Sequence, residues 1–297
     1  MFTGMPGDRA RNPGTGDPGE RERVARVALA GSRFADVHWV GSTGSTNADV
    51  LALARDGAAE GVVVVADHQS AGRGRYDRAW VAPRGGSLLV SVLLRPPSPV
   101  ASAATMATAV AMADAVEAVA GVSPGLKWPN DLVLAGEGGE RKLAGILAEA
   151  EWPATATISA GWRAPSAHER AVIVVGIGLN VSWPEDDDAV REVAGTAVAL
   201  NWVTPEPIDR VDLLVALLRR LEQTYGLLVS GSHGPVMDEW RRRSATLGRR
   251  VRVDLGAEDV EGMAVDVTAE GHLVVEAAAG QRRTFAVGDV VHLRDAP

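Results

Sequence analysis

Residues 69–80, Gln-Ser-Ala-Gly-Arg-Gly-Arg-Tyr-Asp-Arg-Ala-Trp, alternate Gly72 and Gly74 with Arg73 and Arg75, add Arg78 and close on Trp80. Glycine lets backbone N–H groups approach a ligand without a Cβ in the way. Arginine brings a permanent charge and a fork of donors matched to carboxylate and phosphate. The run therefore suits a ligand that carries both anions. A solvated basic turn would share the charges, but three arginines around two spaced glycines exceed what a turn requires. Other candidates are scattered along the chain. Ser45, Thr46 and Asn47 precede Val50, Leu51 and Leu53, where they can cap a helix or bond a neutral polar ligand; on local evidence the cap comes first. In Lys127-Trp-Pro-Asn-Asp131 a tight turn accounts for Asn130 and Asp131 but not for Lys127 in an apolar setting, unless it snorkels to the surface. Lys142 follows a glycine-rich turn at the mouth of an expected strand whose interior Gly145 implies a close approach. Gly176 and Gly178 interrupt a second strand that ends at Asn180.

The elements that position these residues are legible from periodicity. The arginine run sits between apolar stretches at 62–65 and 87–94, so it reads as a long cover between two buried strands. Glycine flexibility and repulsion among Arg73, Arg75 and Arg78 predict that it is mobile without ligand. Residues 101–119 form an alanine-rich packing helix, 208–229 an amphipathic helix and 235–247 a basic one. Further strands are expected at 154–162 and 171–181. Residues 1–20 hold little to bury and read as a disordered tail. Beyond Gly248 short alternating strands separated by glycines predict a small β-barrel over 248–297. Direct strand-to-strand turns outnumber crossover helices in 21–247, so an α+β fold with a mixed sheet flanked by helices fits better than a doubly wound one.

Composition narrows the function. The 297 residues are 46% hydrophobic and 23% charged with a net charge of −8, which argues against general nucleic-acid affinity. With no cysteine and six histidines lacking paired ligand spacing, a thiol nucleophile or a zinc–thiolate site is excluded and a protein-held metal is not expected. No segment reads as a membrane span, so a cytoplasmic location is expected.

Residues 72–80, 127–131 with 141–147, and 176–181, in this order and spacing, together resemble biotin protein ligase, and the match runs from Ser45 to the C-terminus. The resemblance implies a ligase domain with a small C-terminal SH3-like β-barrel. It also implies a reaction in which biotin and MgATP give biotinyl-5′-AMP and pyrophosphate, after which a lysine of a carboxylase biotin carboxyl carrier domain takes the biotinyl group. By the same resemblance Ser45, Thr46, Asn47, Gln69, Arg73, Gly74, Arg75, Lys142 and Gly145 hold biotin. Arg78, Trp80, Lys127 and Asn180 hold ATP or the adenylate, with Asn180 on adenine. Lys142, Arg75, Lys127 and Asp131 are the implied catalytic set, Asp131 orienting the incoming amine. Magnesium arrives on the ATP phosphates rather than on protein ligands. The family's larger members add an N-terminal winged helix-turn-helix; the residues before Ser45 leave no room for one, so no DNA partner and no repressor function are expected. A monomer or weak homodimer is expected. A lipoyl or octanoyl ligase or transferase of related fold and a non-catalytic biotin sensor are the alternatives; the arginine run with Lys127-Trp-Pro-Asn-Asp131 favours biotin over the first, and the full cation set argues against the second.

Overall fold

The computed structural model describes residues 16–136, 139–151, 170–256, 258–286 and 288–293. The expected strand at 154–162 and most of the expected tail lie outside the described residues. Helix α1, Pro18–Ala28, starts inside that tail, with Asp17 capping the Gly19 N–H and proline at the first turn, both good helix starters. There follow β1 Val37–Val40, α2 Thr46–Arg55, β2 Val63–Ala66, β3 Ser87–Leu94, α3 Ala104–Ala120, β4 Gly125–Lys127, β5 Asp131–Gly136, β6 Gly139–Glu151, β7 Val172–Asn180, α4 Asp188–Val193, α5 Arg210–Val229 and α6 Gly234–Arg242. The C-terminal unit holds β8 Arg250–Asp254, β9 Asp259–Val267, β10 Leu273–Glu276, β11 Arg282–Phe285 and β12 Asp289–His292.

The first seven strands form one sheet in the order β1-β2-β3-β7-β6-β5-β4. Only β1 and β2 run parallel and the other ladders are antiparallel, so the mixed α+β reading holds. Alternation along the strands assigns two faces. Val90, Val92, Val175 and Ile177 belong to the main core with α3 and α5, while Leu93 and Val174 pack with Val50 of α2 on the other face. The stretch from Ser98 to Ala120 is long and apolar enough to span a bilayer. Its helix α3 is largely buried in this core, which explains its composition as packing.

The five C-terminal strands form an antiparallel sheet in the order β11-β10-β9-β8-β12. The ladders leave β11 and β12 as edges, so they do not close the barrel that the alternating pattern predicts. The long β9 instead passes from β8, paired over its first half, to β10, paired over its second. Trp128, 1% exposed, ties this unit to the large sheet: its backbone N–H donates to Thr246 Oγ1 at 3.0 Å and its indole to the Gly271 carbonyl at 2.9 Å.

Candidate active site

The face of the large sheet away from α3 and α5 carries the site. On β7 the residues of that face are Val174, Gly176, Gly178 and Asn180, passing from apolar packing under α2 through two glycines to a buried amide. The glycines make room for side chains of the protein itself. A Cβ on Gly178 would lie 2.4 Å from the Trp80 ring, and one on Gly176 would lie 2.1 Å from Asn47 Oδ1; neither contact is possible for a real Cβ, so no other residue fits. Gly145 pairs with Gly178 across the β6–β7 ladder, and a Cβ there would meet both Lys142 Nζ, at 3.0 Å, and Trp80, at 3.1 Å. The expected close approach at Gly145 is thus made by these two side chains.

Lys142 is the fourth residue of β6 rather than the residue at its mouth. The β5–β6 register shifts between Leu132 and Val133, which face Ala144 and Lys142, so Leu143 is the extra residue of a bulge. A bulge re-aims side chains. Residues three apart on a regular strand point to opposite faces, but across this bulge Lys142 and Gly145 share one. Lys142 Nζ accordingly reaches Asp131 Oδ1 at 2.7 Å and stands 5.5 Å from the Trp80 ring centroid. The bulged backbone is satisfied by the segment after α4: Lys142 N–H donates to the Thr196 carbonyl, and Val198 N–H to the Lys142 carbonyl.

At the other end of the cavity lies a polar chain. Ser45 occupies the N-cap position of α2 but makes no capping bond. The cap comes from outside the helix, with Gln69 Oε1 accepting from Thr46 N–H at 2.7 Å. Thr46 Oγ1 lies 2.7 Å from Ser91 Oγ, and Ser91 Oγ donates to Asn47 Oδ1 at 2.5 Å. Asn47 Nδ2 donates to Glu149 Oε2 at 2.6 Å and to the Leu147 carbonyl at 3.3 Å. Glu149 also holds Arg73, at 3.1 Å.

The arginine run folds back on itself, Gly74 N–H donating to the Arg78 carbonyl and Trp80 N–H to the Gly72 carbonyl. Tyr76 at its tip takes a left-handed φ of 55°, an uncommon conformation for a non-glycine residue. Arg75 Nη1 lies 3.3 Å from Asp289 Oδ1 and Arg78 Nη2 lies 2.5 Å from Asp289 Oδ2, and Arg75 also donates to the Gly288 carbonyl at 3.1 Å. Repulsion among the three arginines does not act unopposed here: Glu149 pairs with Arg73, and Asp289 of the C-terminal unit pairs with the other two. On the far side Asn180, 1% exposed, donates through Nδ2 to the Val198 carbonyl at 3.1 Å and the Lys142 carbonyl at 3.3 Å. Two acceptors fix the nitrogen there, so Oδ1 is left as a buried acceptor with no partner among the described residues, on a residue that lines the cavity.

These elements enclose a cavity of about 620 Å³, within the usual range for small-ligand sites. Every residue assigned above to biotin, to the adenylate or to catalysis lines it: Ser45, Thr46, Asn47, Gln69, Arg73, Gly74, Arg75, Arg78, Trp80, Lys127, Asp131, Lys142, Gly145 and Asn180. Residues 42–159 match the model of the biotin/lipoate A/B protein ligase family and residues 246–293 that of the biotin protein ligase C-terminal domain. A biotin–[acetyl-CoA-carboxylase] ligase of Mycobacterium tuberculosis is 36% identical over 283 residues, covering 93% of this chain and 96% of the relative. The chain belongs to the biotin protein ligase family. The bifunctional ligase/repressor BirA of Bacillus spizizenii is 31% identical over 244 residues, 82% of this chain and 70% of that protein. Among solved structures the biotin protein ligase of Aquifex aeolicus in complex with biotin and ATP shares the fold, with a TM-score of 0.68 at 23% identity over 88% of this chain and 99% of that one.

Three side chains that hold this family's site together here escape the sequence reading: Ser91, Glu149 and Asp289. Ser91 left a signal, a serine in the otherwise apolar interior of β3. Glu149 and Asp289 left none, because their partners are 76 and 211 residues away. Below the site Lys127 adjoins a further cluster, with His292 Nδ1 2.9 Å from Glu140 Oε2 and His292 Nε2 3.3 Å from Thr246 Oγ1. Burial, with the nearby Lys127 charge, pushes His292 below its ordinary value, against the opposing pull of Glu140.

Proposed function

We propose that this chain is a biotin protein ligase that condenses biotin with ATP to biotinyl-5′-AMP, releasing pyrophosphate, and transfers the biotinyl group to a lysine of a carboxylase carrier domain. The observation that carries the reading is the single cavity in which a polar, charge-poor end at Thr46 and Gln69 is separated by Lys142 and the arginines from an unpartnered amide acceptor at Asn180. A ureido ring, a carboxylate–phosphate junction and an exocyclic adenine amine ask for these three environments in this order. In the first step the biotin carboxylate oxygen attacks the α-phosphorus and pyrophosphate leaves with its electron pair. Two unit anions ~4 Å apart at an effective dielectric near 20 repel by about 4 kcal/mol, and Lys142 with Arg73, Arg75 and Arg78 offsets that repulsion. In the second step the carrier amine displaces AMP. The site holds Asp131 2.7 Å from Lys142, where its carboxylate can orient the incoming amine.

Among the described residues no group of three or more carboxylates and histidines could hold a metal, so we assign magnesium to the phosphates of the incoming ATP, whose charge it neutralises. The C-terminal unit we read as an SH3-like, partly open barrel whose edge strands β11 and β12 do not pair with each other, supported by the way β9 serves two ladders. Both edges of the large sheet are short, four residues in β1 and three in β4, which favours a monomer or weak homodimer. The buried packing of α3 supports a cytoplasmic enzyme. The test is pyrophosphate release on mixing the protein with biotin and MgATP, followed by mass addition to an apo carrier domain. Release with lipoate and not with biotin overturns the reading.

A further inference from the structure

We infer that Ser91 is a positioning residue that sets the hydrogen-bond polarity of the cavity's Thr46 and Gln69 end, so that this end reads an N–H donor on the substrate; the inference rests on the biotin reading above. Ser91 is fully buried and is absent from the cavity wall, so it acts only through Asn47 and Thr46. The polarity follows from counting protons. Asn47 Nδ2 faces the Leu147 carbonyl and the Glu149 carboxylate, both acceptors, which fixes Oδ1 toward Ser91. A serine hydroxyl has one proton, and the 2.5 Å contact with Asn47 Oδ1 commits it. Ser91 Oγ and Thr46 Oγ1 are 2.7 Å apart, the usual O–H···O length, and the only proton left to bridge them belongs to Thr46.

Thr46 Oγ1 has then spent its proton and shows lone pairs to Gln69 Oε1, 3.0 Å away. That oxygen already accepts from Thr46 N–H and keeps a second lone pair. The competing arrangement, with the Thr46 proton turned to Gln69, would leave the closer 2.7 Å oxygen pair unbridged and is the worse of the two. Two acceptor oxygens on the wall facing each other require a donor between them, and a ureido N–H supplies it. A ring ether or a dithiolane supplies none. Glu149 closes the chain at its far end, where its contacts with Arg73 and Asn47 Nδ2 keep Asn47 oriented.

The test compares biotin with its two cyclic carbamate analogues, in each of which an oxygen replaces one ureido N–H, by competition against labelled biotin on the full-length protein. Wild type should prefer biotin over at least one carbamate by on the order of 100-fold, because an oxygen there meets unpaired acceptors. Ser91→Ala frees the Thr46 proton to turn toward the cavity. Biotin should weaken roughly tenfold, about 1.4 kcal/mol, and the preference should narrow by at least the same factor, while KM for ATP stays unchanged and the melting temperature falls because the buried Asn47 Oδ1 loses its donor. Should Ser91→Ala fail to fold, Ser91→Cys keeps the shape with a weaker donor and should narrow the preference in the same direction. An unchanged preference with biotin binding intact overturns the assignment of Ser91. Parallel losses of biotin and ATP binding do the same, by making Ser91 merely structural. A wild-type protein that does not bind biotin overturns the biotin reading itself.

Discussion

Replacing Lys142 by alanine tests the chemistry assigned to the centre of the cavity. Its ammonium stands 2.7 Å from Asp131 and 5.5 Å from the Trp80 ring, where the proposed reaction would bring carboxylate and α-phosphate together. Of the roughly 4 kcal/mol of repulsion between those anions, a positioned charge in the substrate-filled cavity would offset about 3 to 4 kcal/mol, comparable with the loss of one oxyanion-stabilising donor. Lys142→Ala should therefore slow adenylation by roughly 10²- to 10³-fold. Stability should barely change, because the lysine side chain is 36% exposed and a pair so open to solvent contributes at most about 1 kcal/mol. The assay is single-turnover formation of biotinyl-AMP at saturating biotin and MgATP, run beside a thermal melt. A rate within threefold of wild type with an unchanged melt refutes the argument and transfers the role to Lys127.

Asp289→Ala removes the carboxylate shared by Arg75 and Arg78, both in partly exposed pairs worth at most about 1 kcal/mol each; limited trypsin digestion at those arginines should accelerate roughly 3- to 10-fold, and unaltered cleavage would show that the C-terminal unit does not hold the run. Asp67→Ala strips the partner from Arg210, whose side chain is 5% exposed and 2.8 Å from Asp67, and leaving that charge buried and unpaired should cost about 3 to 5 kcal/mol in chemical denaturation; a loss below about 1 kcal/mol contradicts the buried-pair account. His292 is a base whose folded-state value is lowered by burial and Lys127, so above its unfolded value of about 6.5 it is neutral in both states and its contribution is fully present. As pH falls through about 6.5 the unfolded chain takes up the proton first and stability declines. His292→Gln should flatten the stability profile there, and an unflattened profile would assign the acid loss to other groups.

Sequence reading succeeded where function and local pattern coincide. The glycines at 176 and 178, the arginine run and the Lys127 to Asp131 turn are each unusual in their own segment, and each lines the cavity. It failed where the cause is tertiary. Nothing local marks Leu143 as a bulge, because a bulge is defined by the partner strand's register, yet the bulge decides which face Lys142 serves. Nothing local shows that Gln69 supplies the cap of α2, so Ser45, Thr46 and Asn47 looked spoken for by a helix end that does not use their side chains. The expected barrel rested on period-two alternation, which specifies strands and their buried face but not whether the last strand closes on the first.

The charge pairing explains why an acidic protein can keep so many cations at one cavity. Arg73, Arg75, Arg78 and Lys142 each have a carboxylate within 3.3 Å, supplied by Glu149, Asp289 and Asp131. An incoming carboxylate or phosphate therefore exchanges with a counterion that is already in place, and the gain is the difference between two ion pairs rather than the full attraction of a bare cation. Exchange of this kind lowers the intrinsic affinity for any single anion. It favours a polyanion, because the three carboxylates sit on β5, β6 and β12 and one anionic group answers one of them. On the reading proposed above the triphosphate of ATP is such a polyanion, whereas the acyl adenylate, a mixed anhydride whose only charge is on its phosphate, exchanges with fewer of these carboxylates.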